Sequence, residues 1–164
     1  MLEKKRLTKE QALQKIRHFA GYQERCHQEV KDKLYSFGLY GADVEELVAR
    51  MIEENYLNEE RFATMYAGGK FRLKNWGRVK IRYELKQKRI SDYCISIGLK
   101  AIDEKSYRAT IEKIAQKKWN SLSSEKNQFT KTAKTLESLI AKGFEAKLVR
   151  EILSKLASGP DLFE

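Results

Sequence analysis

Proline is nearly absent from this sequence: the only one is Pro160, close to the C-terminal end. Glycine is scarce too, at nine of 164 residues. An all-β domain needs turn residues at regular, short intervals, so this punctuation argues for long helices with short turns. Cysteine and histidine are limited to Cys26, Cys94, His18 and His27, with no CxxC pair. A structural zinc site needs about four ligands, so neither a metal nor another cofactor is expected. Both thiols are expected to be reduced and structural. No apolar run approaches the roughly 18–20 residues that span a bilayer. The N-terminal stretch "MLEKKRLTKEQ" has no apolar h-region, so a soluble, cytoplasmic protein is the expectation. P-loop, HExxH and GxSxG patterns are all missing, and with them the usual grounds for an enzyme.

What the chain has in abundance is charge. Lysine and arginine number 33 against 23 acidic residues, a net charge of +10. That surplus calls for an anionic partner: nucleic acid, an acidic protein groove or an anionic membrane. No wide apolar face lies opposite the cations, which removes the membrane surface.

Helix signals come in groups. Thr8 and Gln11 form a capping box ahead of Ala12, Leu13, Ile16 and Phe19. Val30 and Leu34 lead to a stop at Gly38, and Val44, Leu47, Val48, Met51 and Ile52 mark a third helix. Asn58, Ser91 and Asp103 are N-cap candidates. Further on, Phe129, Ala133, Leu136, Leu139 and Ile140 precede Gly143, and Leu148, Val149, Ile152 and Leu153 follow it.

A repeat runs through these groups. Leu34, Gly38, Val44 and Val48 keep the spacing of Leu85, Arg89, Ile95 and Leu99, and of Leu139, Gly143, Val149 and Leu153. The leucines lie 51 and 54 residues apart. The expected fold is all-α: three tandem three-helix, helix-turn-helix-like repeats forming an elongated, curved molecule. The repeats are placed at residues 1–57, 58–102 and 103–157, with a flexible tail at 158–164.

Charge is unevenly shared among the repeats. From Lys70 to Arg89 nine cations face one anion, Glu84. From Asp43 to Glu60 seven acids face only Arg50. Arg78, Arg82, Lys86 and Arg89 would form one stripe on a helix, while Ile81 and Leu85 mark another face. Like charges four apart repel by a few tenths of a kcal/mol, so such a stripe argues for an anionic partner rather than solvent alone. The candidate binding residues are Lys70, Arg72, Lys74, Arg78, Lys80, Arg82, Lys86, Lys88 and Arg89. The neighbouring Phe71, Trp76 and Tyr83 are expected to be packing residues. The Gly pair in "AGGKF", Ala67–Phe71, is expected to mark close packing or a kink.

The run "YLNEERFA", Tyr56–Ala63, followed by "GRVKIRYELKQKRIS", Gly77–Ser91, resembles the bacterial RecX family, regulators of the RecA recombinase. "EVKDKLYSFGL", Glu29–Leu39, is similar to that family's first repeat, and the resemblance extends over about residues 10–155. It implies three tandem three-helix units and binding to RecA filaments on single-stranded DNA, along the helical groove. It also implies inhibition of ATP hydrolysis, strand exchange and filament extension, with roles in DNA repair, recombination and the SOS response. Direct binding to single- or double-stranded DNA belongs to the same expectation. Nothing in the sequence demands an oligomer, so a monomer is expected. Three positions depart from the family pattern: Arg89 replaces a usual glycine, Cys26 a common serine, and Arg78 a common proline. A free-standing helix-turn-helix transcription regulator is the alternative, although Ser91-Asp92-Tyr93 is a poor base-reading start. The tail segment Asp161-Leu162-Phe163 is similar to peptides that bind bacterial sliding clamps, which adds a clamp contact to the expected partners.

Overall fold

The computed structural model describes residues 5–159. The expected tail contact at Asp161–Phe163 lies outside the described residues. Among the described residues there are nine helices and no strand: α1 (Lys9–Tyr22), α2 (His27–Ser36), α3 (Ala42–Glu53), α4 (Glu59–Lys74), α5 (Arg78–Gln87), α6 (Asp92–Lys100), α7 (Glu104–Ser121), α8 (Gln128–Ala141) and α9 (Ala146–Ala157). The chain divides into two compact units. One holds the chain up to Tyr66 together with Leu85–Gly98; the other holds Ala67–Glu84 and the chain from Leu99 onward. This division differs from the repeat boundaries, because α4, α5 and α6 each contribute residues to both units.

In the first unit, α1, α2 and α3 pack on one another. Thr8 and Gln11 close the capping box that starts α1. Ala12, Ile16 and Ala20 lie on the inner face of α1, Val30 and Leu34 on that of α2, and Val44, Leu47, Val48 and Met51 on that of α3. Asn58 caps α4 by accepting from the Arg61 N–H at 2.9 Å, and Ser91 caps α6 by accepting from the Cys94 N–H at 3.2 Å. Cys26 starts α2 without a side-chain cap bond to the backbone. Its thiol instead lies 3.3 Å from the Glu29 carboxylate. Burial pushes that thiol up to about 11, so it stays protonated.

The acids of α3 are held within this unit. Asp43 pairs with Arg6 at 3.2 Å, Glu46 with Lys9 at 2.6 Å, Glu54 with Arg17 at 2.5 Å and Glu45 with Lys31 at 3.8 Å. The Lys9 ammonium accordingly holds the Glu46 carboxyl below its ordinary range, and Arg17 does the same for Glu54.

In the second unit, α7, α8 and α9 pack together. Tyr107, Ile111 and Ala115 face inward from α7, Leu139 from α8, and Leu148, Val149, Ile152 and Leu153 from α9. The Tyr107 ring lies 5.6 Å from both Phe71 and Phe144. Ile52, Phe129 and Ile140 depart from the expected apolar faces: all three are exposed, Phe129 at 84%. Phe129 sits in the first turn of α8, ahead of that helix's inward-facing residues.

The repeat is visible in hydrogen bonds. Leu39, Ile90 and Phe144 each donate to the leucine carbonyl five residues back, at 3.1–3.2 Å. Gly38, Arg89 and Gly143 each donate to the carbonyl three residues back, at 2.9 Å. These are paired helix-ending bonds that require a left-handed residue. Their φ values are 86°, 60° and 91°. The repeat leucines Leu34, Leu85 and Leu139 are fully buried, as are Val44, Ile95 and Val149.

Candidate functional site

The joint between α4 and α5 is built on three residues. Asn75 ends α4 in the left-handed region at φ 54°, which asparagine tolerates. Its N–H donates to Phe71 O at 3.1 Å, and that of Trp76 to Lys70 O at 3.2 Å. Gly77 then donates to Lys142 O at 2.8 Å. A Cβ at Gly77 would lie 2.2 Å from the Gly143 carbonyl oxygen, so no side chain fits there. The Val79 N–H donates to that same oxygen at 2.9 Å. A Cβ at Gly143 would in turn meet the Lys80 Cβ at 2.2 Å. Two glycines thus let the start of α5 lie backbone to backbone on the α8–α9 turn.

This docking turns Arg78 inward. Its backbone N–H donates to the Tyr107 hydroxyl at 3.0 Å, a bond that the family's usual proline could not make. Its guanidinium lies 3.8 Å from the Tyr107 ring centroid. It donates to Glu145 at 3.1 Å and also to Glu104. The Tyr107 hydroxyl completes the cluster by donating to Glu145. Burial alone would lower the Arg78 pKa, but the hydrogen bonds to Glu104 and Glu145 outweigh it and raise the value. Burial and the bond to Glu145 push the Tyr107 phenol above its ordinary range. The Arg78 side chain is 22% exposed.

The remaining predicted cations sort into two groups. Lys86 pairs with Asp92 at 3.4 Å, and Lys88 pairs with Glu29 at 3.3 Å with its ammonium 5.7 Å from the Tyr66 ring. Arg72, Lys74, Lys80, Arg82 and Arg89 form no ion pair among the described residues. Lys80 instead sets its ammonium 4.5 Å from the Trp76 ring, and Lys70 sets its own at 4.9 Å. Gly68 leaves room for the Arg72 guanidinium, which a Cβ there would meet at 2.7 Å. Gly69 beside it meets nothing within 4 Å.

Four open cations, Arg72, Lys74, Lys80 and Arg82, therefore lie in one stretch of the second unit, Ala67–Glu84. Phe71 is buried, as the packing reading had it. Tyr83 is not: it is 61% exposed, because it stands two residues, about 200° around the helix, from both Ile81 and Leu85, which share the inner face. Leu73 and Val79 are exposed in the same stretch. The periodicity that marks Ile81 and Leu85 as buried also places Val79 and Tyr83 off that face, and this was the available signal for them. The surface mixes cations with aromatic and aliphatic side chains, a composition suited to a nucleic acid backbone and its bases. Among the described residues, no group of three or more His, Cys, Asp or Glu side chains could hold a metal ion. No described helix is long and apolar enough to cross a membrane.

Comparison with known proteins agrees with this architecture. A family model for the second three-helix domain of RecX matches residues 58–99. The regulatory protein RecX of Clostridium tetani is 32% identical over 133 residues, covering 80% of this chain and 61% of that protein. The regulatory protein RecX of Prosthecochloris aestuarii is 29% identical over 145 residues, covering 88% of this chain and 93% of its own. This chain spans about three fifths of the length of the clostridial relatives. In fold, the chain is similar to the crystal structure of RecX from Lactobacillus salivarius, with a TM-score of 0.83 at 24% identity over 90% of this chain and 96% of that one.

Proposed function

The chain belongs to the RecX family of regulatory proteins, and we propose that it binds filaments of the RecA recombinase on single-stranded DNA. In this reading it lies in the helical groove of the filament as a monomer in the cytoplasm. It suppresses ATP hydrolysis, strand exchange and filament extension, and so modulates DNA repair and recombination. The supporting observation is the group of open cations Arg72, Lys74, Lys80 and Arg82, which have no carboxylate partner among the described residues while Arg78 is engaged by Glu104 and Glu145. Cations without internal partners neutralise phosphate at low cost, and the counter-ions released drive association. Four phosphate contacts on a single strand would weaken binding about 50-fold between about 50 and 200 mM salt. In this reading the basic second repeat, residues 58–102, between the flanking repeats 1–57 and 103–157, supplies these contacts.

The test is a titration of this protein into RecA hydrolysing ATP on single-stranded DNA, with strand exchange followed in parallel. Both rates should fall as the protein is added. Unchanged rates at saturating protein would reject the reading. Sequence-preferring binding to bare duplex, with RecA unaffected, would move the assignment to a transcription regulator.

A further inference from the structure

A second group of cations lies in the second unit, away from α5. Lys113, Lys117 and Lys118 of α7 and Lys142 at the C-cap of α8 line a cavity of about 580 Å³. Thr110, Ser121 and Ser138 also line it. No carboxylate among the described residues lines it. Several acids of this unit are engaged elsewhere: Glu104 and Glu145 with Arg78, Glu151 with Arg108, Glu125 with Lys134, and Asp103 at the cap of α7. Glu112 lines a second hollow, beside Trp119, which shares Lys113 with the first. None of the four lysines forms an ion pair among the described residues.

Lys113 and Lys117 are four apart on one helix, an arrangement that costs stability unless an anion sits between them. Four ammonium groups around one concavity differ from a track along a surface. A strand of nucleic acid needs a continuous groove, whereas a cavity of this size matches a small ligand. Lysines bind phosphate as point charges, and hydroxyl side chains such as those of Thr110 and Ser138 can donate to phosphate oxygens.

We propose that this cavity binds a small anion bearing a short phosphate chain, either a nucleoside triphosphate or an inorganic oligophosphate. The site is independent of the RecA reading, and its test contains no RecA. Titration calorimetry on the full chain would use tripolyphosphate, ATP, adenosine and a short oligo-dT. Tripolyphosphate and ATP should bind and adenosine should not. ATP binding more tightly than tripolyphosphate identifies the nucleotide as the better ligand; equal binding identifies the phosphate chain alone. The Lys113→Gln/Lys117→Gln double variant should bind both phosphates about tenfold or more weakly, the loss expected for two charge-assisted hydrogen bonds. The control Lys105→Gln/Lys126→Gln removes the same charge from positions outside the cavity and should change affinity less than about twofold. Equal weakening by both double variants would overturn the proposal, since net charge alone would then account for binding. It would also fail if ATP bound without tripolyphosphate, or if oligo-dT displaced tripolyphosphate and lost as much affinity in the Lys113/Lys117 variant.

Discussion

Arg78 and Arg82 stand one turn apart on the same helix, yet they meet opposite surroundings. Arg78 is stacked on Tyr107 and bonded to Glu104 and Glu145, while Arg82 is exposed and forms no ion pair among the described residues. The difference shows that a row of like charges in a helix need not act as one surface. The helix is rotated so that Arg78 closes onto α7 and the α8–α9 turn. A partner can reach Arg82, but Arg78 holds the surface in place.

Removing each arginine separates the two roles. Arg78→Ala should destabilise the protein by about 2–3 kcal/mol, from lost charge-assisted hydrogen bonds and the lost contact with the Tyr107 ring. Arg82→Ala should stay within about 0.5 kcal/mol of the parent in the same denaturant unfolding. If the two variants unfold alike, the distinction is wrong.

Acid titration sharpens the contrast. The Arg78 guanidinium holds the Glu104 carboxyl below its ordinary value. Stability from such a depressed carboxyl is present above the unfolded pKa, about 4.3, and is lost as pH falls through the folded pKa. The stability gap between the parent and Arg78→Ala should therefore narrow below about pH 4.3, whereas Arg82→Ala should follow the parent at every pH. Urea unfolding at a series of pH values reads this directly.

A smaller effect is expected at Arg89. Gly38 and Gly143 are hemmed in: a Cβ would meet Arg6 at 3.1 Å in the first case and Lys80 at 2.2 Å in the second. Arg89 takes the same left-handed turn but is exposed, so its side chain has room and only backbone strain remains. Arg89→Gly should stabilise the fold by about 1 kcal/mol, the left-handed penalty less glycine's greater entropy loss. Weaker filament binding in the same variant would show that the charge is used; unchanged binding would show that it is not.

The fold was largely legible because its determinants are local and periodic. Leu34, Leu85 and Leu139, with their turn residues, announce three equivalent helix ends, and the caps Thr8, Asn58 and Asp103 are short-range signals. The site was legible only in outline. The charge surplus at Lys70–Arg89 is plain in the sequence, but its division into engaged and open cations depends on distant residues. Glu145, which binds Arg78, lies 67 positions away, and Glu29, which binds Lys88, lies 59 away. No helical periodicity links such pairs. The same holds for the acidic run from Asp43 to Glu54: Asp43, Glu46 and Glu54 pair with Arg6, Lys9 and Arg17, cations 37 positions earlier, so much of that charge is balanced within its own unit.

The most direct test is the affinity of RecA–single-stranded DNA filaments for the variant Arg72→Glu/Lys74→Glu/Arg82→Glu, measured beside its melting temperature. The open-cation account predicts a loss of about 100-fold or more in affinity at moderate salt, with melting essentially unchanged. Parental affinity in a variant that remains folded would contradict it.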